Sequence, residues 1–470
     1  MNCATHLMKV KYFNELSFRA KVKNLDFAIL GGGWAGLLCA YELAMKFPQC
    51  KIAVYEAAPE ESLGGLLRTE VIDGFTFDMG GPHILFSKNK EILQSIVGFL
   101  GDNVTQIERN AFVFYREKYV PYPFENGIYI LDPETRSKIG TDLIAAMLNN
   151  ARNPGWSPST FKDWIYGFFG ETMATEYLEP YNWKIWKTNP AEMDASWVFS
   201  PGRLPFPSLA DIVTSVAGLK SVGYKEQQFF YYPKNGGIKA LYDSLLARVK
   251  DLRVEILTGN TVNSVRRKGE NWLINNKFTS SFIVNTLPLT ALPGIFDMPD
   301  EISSLTEKLV FTTDVVVGVA IRKASPSAHV LYVPSPEINF HRLTWMSNLA
   351  GSPSPDVSNL IAETTVKGNL NPDTEKIVEN TLSGLTRLGI IESRSEVIFT
   401  KSWVNRFGYP VYTRDHVDVR KKIFEHLENI GIFSVGRWGS WHYWNTDKVY
   451  EAVHKTVEEI AQRCSFYGYH

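Results

Sequence analysis

A short apolar run that ends in glycines and reopens as a helix limits what this chain can fold into more than any other stretch of it. Residues 24–36 read NLDFAILGGGWAG. Leu25, Phe27, Ile29 and Leu30 have strand character, and residues 37–47 have helical spacing. Between them Gly31-x-Gly33-x-x-Gly36 gives each glycine a task. Gly31 permits a tight turn, Gly33 lets backbone approach a pyrophosphate, and Gly36 lets helix pack on strand. The helix start then offers free N–H groups to the phosphates. A glycine triplet alone also makes ordinary loops. Here a second strand, residues 51–55, follows and ends at Glu56, twenty residues beyond Gly36, where a carboxylate accepts ribose hydroxyls. The stretch therefore reads as a dinucleotide cradle rather than a coincidental strand–turn–helix.

Around that cradle lie 470 residues, too many for one hydrophobic core, so two or three domains are expected. Forty-nine basic residues against fifty acidic give a net charge of −1, which argues against broad attraction to nucleic acid or an anionic membrane. No apolar run reaches the roughly 18–20 residues that span a bilayer, and the first residues lack a continuous apolar signal core. Cys3, Cys39, Cys50 and Cys464 are scattered without a CxxC, so a reduced, cytoplasmic protein without a metal site is expected.

Along the chain, a second glycine doublet, Gly64-Gly65-Leu66, and a third, Gly80-Gly81-Pro82-His83, follow the cradle closely. Such doublets let backbone lie against a flat ligand, and read alone they are equally hairpin turns. Residues 89–228 form an expected inserted, mainly helical unit, with helical spacing at 90–100 and 141–150, an aromatic-rich stretch at 161–178 and strand-like alternation at 111–130. Residues 201–207 are its expected exit. Strands are expected at 253–257, 261–266 and 282–286, and the runs 312–321, 330–333, 342–346 and 359–366 suggest an antiparallel sheet. Residues 431–435 and 448–463 close the chain as strand and helix. The fold class is α/β: a Rossmann-like domain assembled from 24–88, 229–300 and 401–470 behind an extension 1–23, the helical insertion, and an antiparallel-sheet substrate domain at 301–400 that takes the strands near 111–130. No second GxGxxG follows a strand, so the dinucleotide is expected to be FAD held permanently rather than NAD visiting.

Taken together these blocks resemble the UDP-galactopyranose mutases, within the flavoprotein superfamily that includes amine oxidases and protoporphyrinogen oxidases. GGGWAG, Glu56, GGLLR and GFTFDMGGPH are similar to that superfamily's FAD-binding half. VPYPF at 120–124, PYNWKIW at 180–186, INFHRLTWMSN around Arg342, GYP at 408–410 and GRWGSWHY at 436–443 match the mutases in character and order. Three positions depart from the family: Glu125 stands where a polar uncharged residue is expected, Phe86-Ser87 replace a second histidine, and Trp444-Asn445-Thr446-Asp447 match only in part.

The resemblance implies an isomerase that interconverts pyranose and furanose forms of a nucleoside-diphosphate sugar, most simply UDP-galactopyranose and UDP-galactofuranose. It implies a reduced-flavin N5–sugar adduct, hence FAD active in its reduced form and an external electron donor such as NAD(P)H. The polysaccharide-building use of such a product is likewise a family expectation. FAD contacts are implied for Gly31, Gly33, Trp34, Ala35, Gly36, Glu56, Gly64, Gly65, Leu66, Gly81, Pro82, His83, Val262, Gly436, Arg437 and Asn445. Arg342 and Arg203 would hold the diphosphate in a two-pronged geometry, with hydroxyls from Tyr332, Tyr409 and Tyr443. Tyr122, Phe124, Tyr177, Asn182 and Trp186 would close on the base, an amide reading its edge and rings stacking on its face. Trp183, Trp186 and Tyr177 read equally as core of the helical unit. His83 is expected beside the flavin, responding to its reduction, rather than as a general base. The alternative is an oxidase of the same superfamily, acting on an amine or a porphyrinogen.

Overall fold

The computed structural model describes residues 23–199, 208–221 and 228–466. Arg203 and the expected exit at 201–207 lie outside them, as does the extension before Lys23.

Strand Lys23–Leu30, helix Trp34–Lys46 and strand Ile52–Tyr55 fold as the opening motif requires. The two strands are parallel, and each also has a further parallel neighbour, Phe278–Asn285 on one side and Glu255–Leu257 on the other. Ile432–Ser434 joins in parallel, and the hairpin Val265–Lys268 with Asn271–Ile274 extends the edge. Central parallel strands are covered on both faces, which is why Phe27–Leu30 and Ile52–Tyr55 are buried without alternation. The covering helices include Trp34–Lys46, Lys239–Asp251 and Thr446–Phe466. Helix Lys90–Leu100, capped by the Asn89 side chain, packs on the latter two.

The second sheet runs Val397–Pro410, Phe311–Ile321, Ser358–Lys367, Arg342–Trp345, Val330–Tyr332, Ala111–Tyr115 and Lys118–Pro121. All neighbours are antiparallel except Val330–Tyr332 with Ala111–Tyr115. Its register sets Tyr332 opposite Arg342, and Arg342 opposite Glu363. Directly opposed side chains in such pairs touch, so the sheet itself brings these three together.

The helical unit is built from Pro133–Arg152, Phe161–Met173 and Glu179–Trp186. Thr160 and Asp163 form a reciprocal capping box at the start of the second of these.

The aromatic-rich stretch 161–178 begins as helix Phe161–Met173, which is broken at Gly170, whose φ of +74° is not helical and where a Cβ would sit 2.6 Å from Asp142 Cβ. Two expectations need correction. The strand expected at 261–266 begins only at Val265, because the Asn275 side chain accepts from the N–H groups of Asn263 and Ser264 and donates to Thr261 O, holding a turn there. The alternation at 111–130 ends at Pro121, after which Phe124–Gly127 makes one helical turn. Strand Val397–Pro410 pairs with Phe311–Ile321 along its length, so residues 401–410 belong by hydrogen bonding to the antiparallel sheet. No helix among the described residues is long and apolar enough to cross a membrane.

Candidate active site

The cradle at the edge of the parallel sheet is made of side chains that are absent. Gly31 has φ +101°, and a Cβ on Gly36 would lie 1.9 Å from Gly31 O, so helix and turn approach as closely as glycine allows. Gly33 differs: a Cβ there would meet nothing within 4 Å. It caps helix Trp34–Lys46 without a side-chain acceptor, and no acid lies in the first turn. Open space over a bare helix N-terminus is what an anionic pyrophosphate requires. Glu56 sits beside it, its carboxylate accepting the N–H groups of Gly32 and Ala58, each at 2.8 Å.

The other glycine-rich segments converge here. Gly65 (φ +59°) would place a Cβ 3.3 Å from Gly33 Cα, and Gly80 would place one 2.2 Å from Leu66 O. Gly436 (φ +94°) packs on Ala35, and Trp34 donates its indole N–H to Thr446 O at 3.2 Å. These residues fit a dinucleotide. Val262 is buried in an apolar cluster with Leu30 and Tyr55.

Beside the cradle opens a cavity of ≈ 310 Å³, whose walls include Leu66, Gly80, Pro82, His83, Arg437 and Asn445. Tyr122, Tyr177, Asn182, Trp186, Tyr332, Arg342, Tyr409 and Tyr443 line the same cavity, so the folded chain gathers blocks that are hundreds of residues apart in sequence. Phe124 does not line it. It packs behind Tyr177 at 4.8 Å between ring centroids, fully buried.

Arg342 makes a two-pronged ion pair with Glu363, Nε to Oε1 and Nη2 to Oε2, both at 2.6 Å. Glu363 is fully buried and also accepts from the Tyr409 hydroxyl at 3.3 Å. Arg109 donates to the Tyr332 hydroxyl at 2.7 Å and lies over the Tyr122 ring. Arg437 lies over the rings of Tyr443 and Tyr409 and donates to Gly408 O. Asp314 lines the same end, and burial followed by the charge of Glu363 holds its carboxyl well above the usual range. His83 accepts its orientation from Gly81: since a carbonyl only accepts, the 2.9 Å contact places the ring proton on Nδ1. Burial, then Arg437 and Arg342, push His83 down to about 4, so it is neutral at physiological pH.

At the far end Asn182 has its amide engaged, Nδ2 donating to Leu178 O at 2.8 Å and Oδ1 accepting from Trp186 Nε1 at 3.0 Å. Trp183 points away and is 49% exposed, so the core reading fails for it while Trp186 and Tyr177 are buried. The residues that sequence reading misses are Arg109, Glu363, Asp314 and Tyr181. Tyr181 carried a usable signal, since it stands one helical turn from both Tyr177 and Ile185 on the cavity-lining face. Glu363 and Asp314 stand in unremarkable strand contexts and Arg109 in a short link between two strands, and they carried none.

Comparison with known proteins bears on the architecture. A family model described as an NAD(P)-binding Rossmann-like domain matches residues 29–98. A solved structure of reduced UDP-galactopyranose mutase superposes with a TM-score of 0.83 at 22% identity, covering 93% of this chain and 94% of that one. A putative protoporphyrinogen oxidase from Exiguobacterium sp. 255-15 gives 0.72 at 18%, covering 94% and 99%. Putrescine oxidase bound to putrescine gives 0.62 at 17%, covering 94% and 100%. Among curated proteins, thiamine thiazole synthase of Coprinopsis cinerea is 40% identical over 82 residues, 16% of this chain and 25% of its own length. Coproporphyrinogen III oxidase of Staphylococcus aureus is 22% identical over 255 residues, 51% of this chain. The chain thus spans 25% and 54% of the lengths of these curated relatives. It has the fold shared by a sugar-nucleotide mutase and by amine and porphyrinogen oxidases.

Proposed function

We propose that this chain holds FAD and, with the flavin reduced, interconverts pyranose and furanose forms of a nucleoside-diphosphate sugar, UDP-galactose being the first candidate. The observation that carries this reading is the ring of Arg109, Arg342 and Arg437 with Tyr332, Tyr409 and Tyr443 around one cavity, next to the Gly80–His83 loop. A diphosphate that leaves the sugar gains negative charge, and fixed guanidinium and hydroxyl donors oppose that charge without rearranging. The fold shared with UDP-galactopyranose mutase supports the same reading.

Reduced FAD would supply the electron-rich nitrogen that makes covalent catalysis possible. Every other task falls to the chain. Glu363 keeps the Arg342 guanidinium in one plane, and Tyr332 does the same for Arg109. Burial and the charge of Glu363 oppose ionisation of Asp314, which lessens the negative charge facing a phosphate. His83, neutral with its proton on Nδ1, is a positioning group against the flavin. Arg203 enters only through its motif. An external donor such as NAD(P)H would keep the flavin reduced.

The oxidase alternative draws on the protoporphyrinogen and putrescine oxidase folds. Three arginines in the cavity oppose a cationic amine. The test is to reduce the purified protein with dithionite, add UDP-galactofuranose, and follow UDP-galactopyranose by chromatography. Product formed under reduction, without oxygen uptake, is expected. Oxygen consumption with a porphyrinogen or an amine, and no sugar isomer, would overturn the reading.

A further inference from the structure

The cavity contains a buried carboxyl with one unpartnered oxygen. Glu125 lines the cavity, is 4% exposed, and its Oε1 has no hydrogen-bond partner. The backbone that carries it is pinned: Ser215 donates to Asn126 O at 2.8 Å, Asn126 Nδ2 donates to Ser221 Oγ at 2.9 Å, and a Cβ on Gly127 would sit 2.0 Å from Pro121 O. The turn that presents Glu125 to the cavity is therefore held in place. Tyr177, Trp164 and Tyr181 share its part of the cavity.

The titratable and charged groups on the elements packed around Glu125 are mostly tyrosines, Tyr115, Tyr119, Tyr122, Tyr129, Tyr177 and Tyr181, with Lys118, Arg136, Glu176 and Asp211. Glu176 accepts from Tyr115 and Arg116, and Tyr119 donates to Leu388 O. Lys118 reaches Ile130 O, Arg136 donates to the carbonyls of Tyr129, Leu131 and Val216, and Asp211 accepts from Ser208 Oγ. Among the described residues no cation bonds Glu125. This is the reverse of Glu363, which faces Arg342. Burial pushes Glu125 up to about 7, opposed only by its own backbone N–H.

We infer that Glu125 reads the base of the nucleotide, and does so as a neutral carboxyl whose O–H donates to a base carbonyl while its other oxygen accepts the neighbouring ring N–H. A pyrimidine-2,4-dione such as uracil presents that acceptor beside that donor. Asn182, already bonded to Leu178 and Trp186, keeps one N–H and one lone pair for the same ligand. The inference rests on the nucleoside-diphosphate reading above and adds which atom recognises the base, and in what charge state. An ionised carboxylate offers only acceptors, so it would face the uracil carbonyl with like charge. Binding at pH 8 must therefore take up a proton from solvent, and the affinity must fall about tenfold for each pH unit above the point where the free carboxyl ionises.

The experiment is calorimetric titration of UDP into the FAD-loaded wild type and into E125Q, between pH 6 and 8.5, in buffers of different ionisation enthalpy. Gln carries a permanent donor and acceptor in nearly the same shape, so E125Q is expected to bind UDP like wild type at pH 6. At pH 8.5 it is expected to bind more than tenfold tighter than wild type, without the proton uptake that wild type shows. Parallel pH profiles for the two proteins, or wild-type binding at pH 8 with no proton taken up, would overturn the assignment of Glu125. So would GDP binding that strengthens as pH rises, because guanine has two adjacent N–H donors suited to an ionised carboxylate. Failure of both proteins to bind UDP at any pH would instead overturn the nucleotide reading on which the inference stands.

Discussion

The glycine cradle and the cavity beside it are built on opposite principles. The cradle is backbone made accessible by missing side chains, and its centre sits within one short strand–turn–helix. The cavity is made of side chains brought by the antiparallel sheet, by the helical unit and by loops at the glycine-rich segments. One region tolerates nothing added, and the other loses its character when something is taken away. The difference teaches that the two are separable: each can be broken while the other is left standing.

Gly33→Val is the sharpest break of the cradle, and the effect should be complete. The new side chain meets no protein atom within 4 Å at its Cβ and sits at an ordinary φ of −75°, so the chain should fold. It would fill the space meant for the pyrophosphate, so the purified protein should lack the flavin absorbance band. Full yellow colour would show that the cofactor lies elsewhere. Gly36→Val should fail differently, by not folding, since Gly31 O leaves no room.

Arg342→Ala breaks the cavity instead. It leaves Glu363 fully buried without its partner, which costs roughly 3–5 kcal/mol. FAD should be retained while nucleotide binding and turnover are both lost. The double variant Arg342→Ala/Glu363→Ala removes the stranded charge, so urea melts should recover much of the stability with no recovery of UDP binding. If both losses are recovered together, Arg342 is a structural group and its assignment to the diphosphate fails.

The same contrast explains what could be read in advance. The cradle was legible because its function lies in fixed spacing over thirteen residues, 24–36, and Gly31, Gly33 and Gly36 keep the roles that spacing assigns. In the cavity, Tyr332, Tyr409, Tyr443 and Arg342 were found only through family-like blocks. Glu363 was invisible because its place is set by cross-strand register, a quantity no local pattern encodes. Arg109 was hidden for a similar reason: its partners are Tyr332, on a strand distant in sequence, and Tyr122, in the turn after strand Lys118–Pro121. The turn at 261–264 was misread because one Asn275 side chain outweighs an alternating pattern.

Glu125→Gln should give the next effect, and its sign depends on pH. The carboxyl rises from 4.5 to about 7 on folding, so between those values the folded state holds more protons than the unfolded one. Stability from this group is therefore greatest in acid and is lost as pH rises toward 7. Gln cannot ionise. Relative to wild type, Glu125→Gln should gain about 3 kcal/mol between pH 4.5 and pH 8. Thermal melts of both proteins at the two pH values check it, and other titrating groups such as Asp78 cancel in the difference. A constant gap in Tm would mean that the carboxyl is not buried.

The smallest effect should come from Trp183→Ala, three residues from a tryptophan whose loss should be severe. Trp186 is 2% exposed, donates to Asn182 and packs edge-on against Trp197, Tyr409 and Tyr443. Removing it should cost roughly 3–5 kcal/mol and free the Asn182 amide. Trp183 stands one turn earlier, about 60° round the same helix, yet it is 49% exposed, so its removal should change stability by no more than about 0.5 kcal/mol. UDP binding should be unchanged within twofold. Should Trp183→Ala weaken UDP binding as much as Trp186→Ala does, the nucleotide would lie against the exposed side of this helix, and the cavity lined by Asn182 would not be the base's seat.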